Sequence, residues 1–99
     1  MKNYEAVIIL STNAAEEATV AFGEKMKELI SSNGELTNVE EWGKKTLAYE
    51  IKKQSEGYYI LFTFAAKPEF ISEFERILRL DDIVLKHMVI KKAFPSYRS

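Results

Sequence analysis

Cysteine is absent from these 99 residues, and histidine occurs once, as His87. Without cysteine there is no disulfide framework, no thiolate nucleophile and no sulfur-ligated zinc site. A single imidazole leaves a histidine-based metal cluster or a serine–histidine–acid triad hard to assemble. Glycine is sparse: Gly23, Gly34, Gly43 and Gly57 stand singly, so no glycine-rich phosphate loop exists. The pair Asp81-Asp82 falls short of a metal-loop pattern. Long apolar runs are missing too, since the longest, Ala6–Leu10 and Tyr58–Ala66, cannot span a bilayer. The first of them stops at Ser11, which predicts no signal peptide. These absences lead to the expectation of a cytoplasmic protein that is not an enzyme and uses no cofactor, metal or small-molecule substrate.

What the chain does have is 46% hydrophobic and 29% charged residues, the proportions of an ordinary globular domain. A chain of this length supports one core, and folding removes roughly two thirds of its surface from water. The net charge of -1 hides a segregation. Seven acids lie between Glu16 and Glu41, against Lys25 and Lys27 alone. Lys44, Lys45, Lys52 and Lys53 then crowd into ten residues with only Glu50 opposing them. From Ile83 onward come Lys86, Lys91, Lys92 and Arg98, with no acid. An acidic helix and basic strands permit a phosphate-facing surface, although lysines also serve to protect sheet edges.

The periodicities predict six elements in one domain over 1–93, with a short tail over 94–99. Tyr4–Leu10 is a β-branched strand. Asn13 and Glu16 have capping-box spacing, and Ala18, Phe22, Met26, Leu29 and Ile30 recur at helical intervals until Asn33-Gly34. Residues 35–53 read as two extended pieces broken near Trp42-Gly43, residues 54–57 as a turn, and 58–65 as the next strand. Pro68 suits the first turn of a second helix bearing Phe70, Ile71, Phe74, Ile77 and Leu78. Ile83–Lys92 closes the domain as a strand. The order βαββαβ predicts an α+β, ferredoxin-like domain: a four-stranded antiparallel sheet with two helices on one face. Right-handed crossovers are further expected to set the first and third strands side by side and parallel.

One face of that sheet lacks cover. The first strand is apolar on both sides, Tyr4, Ala6, Ile8 and Leu10 against Val7 and Ile9. The third repeats this, with Tyr58, Ile60, Phe62 and Phe64 against Tyr59, Leu61 and Ala65. Strands of this kind expect cover on both faces, and two helices on one side leave the other as a docking patch. The third strand begins like a base-stacking RNA motif at Glu56-Gly57-Tyr58-Tyr59. It then departs, because Glu56 replaces a base and Ile60 and Thr63 replace aromatics. Nucleic acid would therefore be held through phosphates by lysines near loops and strand ends.

Several blocks resemble the bacterial family of small-subunit ribosomal protein number six. They are Tyr4-Glu5, then Trp42-Gly43-Lys44-Lys45-x-Leu47-Ala48-Tyr49-x-Ile51-x-Lys53, then Gly57-Tyr58-Tyr59. The last is Leu78-Arg79-Leu80-x-Asp82-x-Val84-Leu85-Lys86-His87-x-Val89-Ile90-Lys91. The resemblance covers nearly the whole chain. It implies a structural component of the small ribosomal subunit that binds 16S ribosomal RNA together with small-subunit ribosomal protein eighteen, being a monomer when free. Lys2, Lys44, Lys45, Lys86 and Lys91 match basic positions of the family. Lys52, Lys53 and Lys92 extend the expected RNA-binding set. The partner protein is expected on Val7, Ile9, Trp42, Leu47, Tyr49, Tyr59, Leu61 and Tyr97. Glu50 stands where the family usually has proline, and Asn3 where a second basic residue is common.

Two other classes share the fold. A small-ligand regulatory domain or a homodimerising module would pair through its sheet. An acylphosphatase-like hydrolase would want an arginine in an early phosphate-binding loop, and none precedes Arg76.

Overall fold

A computed structural model describes residues 1–92, and the expected tail 94–99 with Tyr97 lies outside them. The elements are β1 (Lys2–Ser11), α1 (Glu16–Asn33), β2 (Gly34–Ile51), β3 (Gln54–Ala66), α2 (Pro68–Leu80) and β4 (Val84–Lys92). The strands form one sheet in the order β2-β3-β1-β4. Every neighbouring pair is antiparallel, including β1 with β3. The expected parallel pairing of β1 with β3 is therefore wrong, although the two are adjacent. Each βαβ unit leaves room for one strand between its own two, so the parallel pairs are β1/β2 and β3/β4, neither hydrogen-bonded to each other.

Both helices share one face. The main core joins Tyr4, Ala6, Ile8 and Leu10 of β1 and Ile60, Phe62, Phe64 and Ala66 of β3 to helix residues. Those residues are Phe22, Met26 and Ile30 from α1 and Phe70, Phe74 and Leu78 from α2. Alternation along the strands selects this set, and the helical period selects the other. Phe64 lies at its centre, edge-on to Phe74 at 5.5 Å and stacked with Tyr4 at 5.8 Å.

Local chemistry departs from expectation in three places. Ala15, not Asn13, caps α1, with no side-chain cap bond, and the Asn13 backbone N–H that Glu16 would answer in a capping box donates instead to Ser11 Oγ at 3.1 Å. The turn between β2 and β3 is Lys52-Lys53, both at positive φ (50° and 65°), while residues 54–57 belong to β3. That is the backbone of a two-residue hairpin, normally written with asparagine and glycine. The expected break at Trp42-Gly43 is a bulge within one long strand, where Gly43 adopts φ 83°.

Gly23 lies inside α1 with open space where a Cβ would go. Gly23→Ala is expected to raise stability by about 0.5–1 kcal/mol through helix propensity. Phe74→Ala is expected to lower it by about 3–5 kcal/mol. Urea unfolding followed by circular dichroism measures both.

Candidate nucleic-acid and partner interface

The face away from the helices is ordered by the strand register into rows. One row runs Glu40–Leu61–Val7–Met88, and beside it runs Gly43–Tyr59–Ile9–Lys86. Toward the start of β1 the rows turn polar, first Asn38–Thr63–Glu5–Ile90 and then Glu35–Ala65–Asn3–Lys92. A bulge in β4 opposite Ile9 and Leu10 sets its alternation. Val84 packs with the helix-side core, and Leu85 packs with Ile9 on the rear. The partners of the next residues then put Lys86, Met88, Ile90 and Lys92 on the rear, and His87, Val89 and Lys91 on the helix side.

Part of this face is covered by the chain itself. Between the pairs Thr46↔Glu56 and Ile51↔Gln54, four residues of β2 oppose Ser55 alone. The surplus, Leu47–Glu50, folds over the sheet as a strap. Leu47, Ile9 and Leu85 form a second buried cluster, against which Ile51 and Tyr59 pack. Tyr49 reaches across to the far edge strand. Lys86 Nζ donates to its hydroxyl at 3.3 Å and sits 5.6 Å from its ring centroid. Gly57 makes room for this, since a Cβ there would collide with Ile9 Cγ2 and crowd Leu47 Cδ2.

The strap changes the surface expected for a partner. Ile9, Leu47 and Leu61 are buried, so they support the face rather than present it. Val7 and Tyr59 are half-buried. Trp42 (42% exposed) stacks on Tyr59 at 6.3 Å and is held by its indole N–H donating to Glu40 Oε1 at 3.0 Å. Met88 (49%) and Ile90 (45%) complete an apolar window on which sequence reasoning had placed neither. The signal for them was hidden, because a bulge flips the face of every later residue in β4.

The eight candidate RNA-binding lysines fall into two groups. Lys44, Lys45, Lys52, Lys53 and Lys86 gather at the strap end of the sheet, while Lys2, Lys91 and Lys92 mark the opposite end. Lys86 and Lys92 lie six residues apart on β4, about 20 Å. Lys44 pairs with Tyr58 and Lys45 with Gly57, so the two point to opposite faces. Lys92 is partly neutralised by Glu5 at 3.4 Å, and Lys86 is oriented by Tyr49. Burial, followed by the hydrogen bond from its hydroxyl to Glu41 (3.1 Å), pushes the Tyr58 phenol above its ordinary 10.0. On the outer surface of α2, Arg76 donates to Glu73 and holds its carboxyl below the usual range. Among the described residues no cluster of three metal-ligating side chains occurs, and no helix is long and apolar enough to cross a membrane.

Two outcomes follow from this geometry. Gly57→Ala is expected to cost about 1–3 kcal/mol by overpacking the strap, with faster hydrogen exchange confined first to residues 47–51. The raised Tyr58 value means the fold favours the neutral phenol, so its contribution is present below pH 10.0 and is lost as pH rises through the folded value. An ultraviolet titration of wild type minus Tyr58→Phe is expected to show this late ionisation, lowered in Glu41→Gln.

Comparison with known proteins agrees with the fold. The family described as Ribosomal protein S6 matches residues 3–91. The chain is 44% identical over 92 residues to small ribosomal subunit protein bS6 of Caldanaerobacter subterraneus subsp. tengcongensis, covering 92% of this chain and 97% of that protein. It is 47% identical over 91 residues to the bS6 of Clostridium novyi, covering 91% and 96%. The crystal structure of 30S ribosomal protein S6 from Thermotoga maritima superposes with a TM-score of 0.87 at 28% identity, over 92% of this chain and 87% of that one.

Proposed function

Since the chain belongs to the ribosomal protein S6 family and so is a non-catalytic protein of the small subunit of the cytoplasmic ribosome, we propose that it binds 16S ribosomal RNA together with small-subunit ribosomal protein eighteen. The observation that carries this reading is an apolar window flanked at both ends of the sheet by lysines. Val7, Trp42, Tyr59, Met88 and Ile90 offer side chains for a protein to bury, at about 25 cal/mol per Å². The lysines offer phosphate contacts, while Tyr58, Phe62 and Phe64 face the helices and offer bases no stacking platform. Ile9, Leu47 and Leu61 serve this surface from beneath by fixing the strap and the central row.

A division of labour follows. With a net charge of -1 the chain alone attracts RNA weakly, and lysine pairs at opposite ends cannot all reach one short helix segment. A partner that fills the window adds its own phosphate contacts and turns weak, salt-sensitive binding into tight binding. The free chain is a monomer in this reading. A sheet-paired regulatory dimer is the alternative, and it would bury the same window against a second copy.

Binding of a 16S ribosomal RNA fragment is expected to be weak without ribosomal protein eighteen and at least tenfold tighter with it, across a salt series. Lys44→Glu with Lys45→Glu is expected to abolish co-sedimentation with the small subunit while leaving the circular dichroism spectrum intact. Met88→Glu should weaken the protein partner by about tenfold with little effect on stability, since its side chain is half exposed. Equal RNA affinity with and without the partner would refute the reading.

A further inference from the structure

The strap carries its turn to the far side of the sheet, and a second feature arises there. A cavity of about 310 Å³ is lined by Lys52, Leu78, Arg79, Val84, Leu85, Lys86 and His87. Its residues come from three separate places: the β2–β3 turn, the last turn of α2 and the start of β4. Among the described residues, every polar residue lining it carries a nitrogen donor, and none that lines it carries a carboxylate. Among the described residues Lys52, Arg79 and Lys86 form no ion pair, and the one side-chain hydrogen bond of Lys86, to Tyr49, leaves two of its three N–H groups for another acceptor. A neighbouring cavity shows the contrast. It is lined by Lys25, Ile77, Leu80, Asp81 and Asp82, and there Lys25 is answered by Asp81 at 3.8 Å.

We propose that Lys52, Arg79, Lys86 and His87 form a binding site for a phosphate-type oxyanion. The guanidinium supplies a planar pair of donors suited to two phosphate oxygens. β4 is an edge strand, so Lys86 from the rear and His87 from the helix side both border its open edge, where Lys52 adds an ammonium group from the turn and His87 offers a ring N–H in either protonation state. Arg79 is placed by the C-terminal turn of α2, where a cation is favoured, and the neighbouring end carbonyl of Leu78 is already taken by the Asp81 amide at 3.3 Å. Leu78, Val84 and Leu85 give the cavity apolar walls beside these donors. Neither Arg79 nor His87 belongs to the lysine set considered above, and the two lysines acquire a shared ligand. The oxyanion is either a backbone phosphate of RNA, which rests on the function proposed above, or a free phosphate.

The test is a titration of the full chain with inorganic phosphate, followed by amide and side-chain nuclear magnetic resonance, with sodium chloride at matched ionic strength as control. Saturable shifts are expected at residues 52, 79, 86 and 87, with the midpoint weakened about tenfold in Arg79→Ala. Lys52→Gly provides a second variant that the turn tolerates, because φ there is 50°. Shifts that follow ionic strength alone, or that fall equally on Lys2, Lys91 and Lys92, would overturn the proposal. A parallel titration with the 16S ribosomal RNA fragment and protein eighteen identifies the source. Equal losses of RNA affinity in both variants assign the site to RNA phosphate. Intact RNA affinity with lost phosphate binding assigns it to a free oxyanion. Saturable phosphate binding with no RNA binding at all upholds the site and counts against the proposed function instead.

Discussion

The molecule is organised by the need to cover both faces of one strand. β1 lies between β3 and β4, hydrogen-bonded on both edges, and it is apolar on both faces. Backbone pairing is thereby complete, but the apolar side chains on each face still require exclusion from water. The helices cover one face with a core that includes Phe22, Phe70 and Phe74. Among the described residues, the other face is covered by the surplus of β2, which turns back over Ile9 and Leu85 as far as Tyr49 and Lys86. Among the described residues the cover ends there, leaving an apolar window over Val7 and Met88.

That constraint also organises the charge. A strap that crosses the sheet must end somewhere, and it ends in Lys52-Lys53 beside the last turn of α2. Cations from the turn, the helix and the edge strand are thus brought together by packing of apolar residues, although they stand far apart in sequence. The second basic group, around Lys2 and Lys91, has a simpler origin, since β1 begins where antiparallel β4 ends. A nearly neutral protein therefore holds basic ends on either side of an apolar centre. Under the proposed function, phosphate contacts at these ends would position the protein and the apolar centre would anchor its partner.

Much of this was legible in the residues. Strand and helix periods located all six elements and the βαββαβ order, and the two-faced apolar character of β1 and β3 pointed to an uncovered side. The family blocks around Trp42-Gly43 and Leu78–Lys91 named the family that the comparisons support. The departures have identifiable physical causes. The turn at Lys52-Lys53 carries neither glycine nor asparagine, so it gave no turn signal and was displaced to 54–57. Asn13 had the spacing of a cap but found its backbone amide engaged by Ser11. The first and third strands do not run parallel because the crossover through α1 makes β1 parallel to β2, and β3 lies between them, antiparallel to both.

By itself, the order of residues determined which segments are strands and helices, what each buries, and which chemistry is absent, because these depend on periods of two and about 3.6 and on side-chain type. Tertiary structure decided what no period encodes. The bulge in β4 chose the face of Met88 and Ile90, and the surplus in β2 chose how far Leu47 and Tyr49 travel. Both are matters of register between strands remote in sequence, and register is fixed only when the strands pair and their side chains compete for the same buried space.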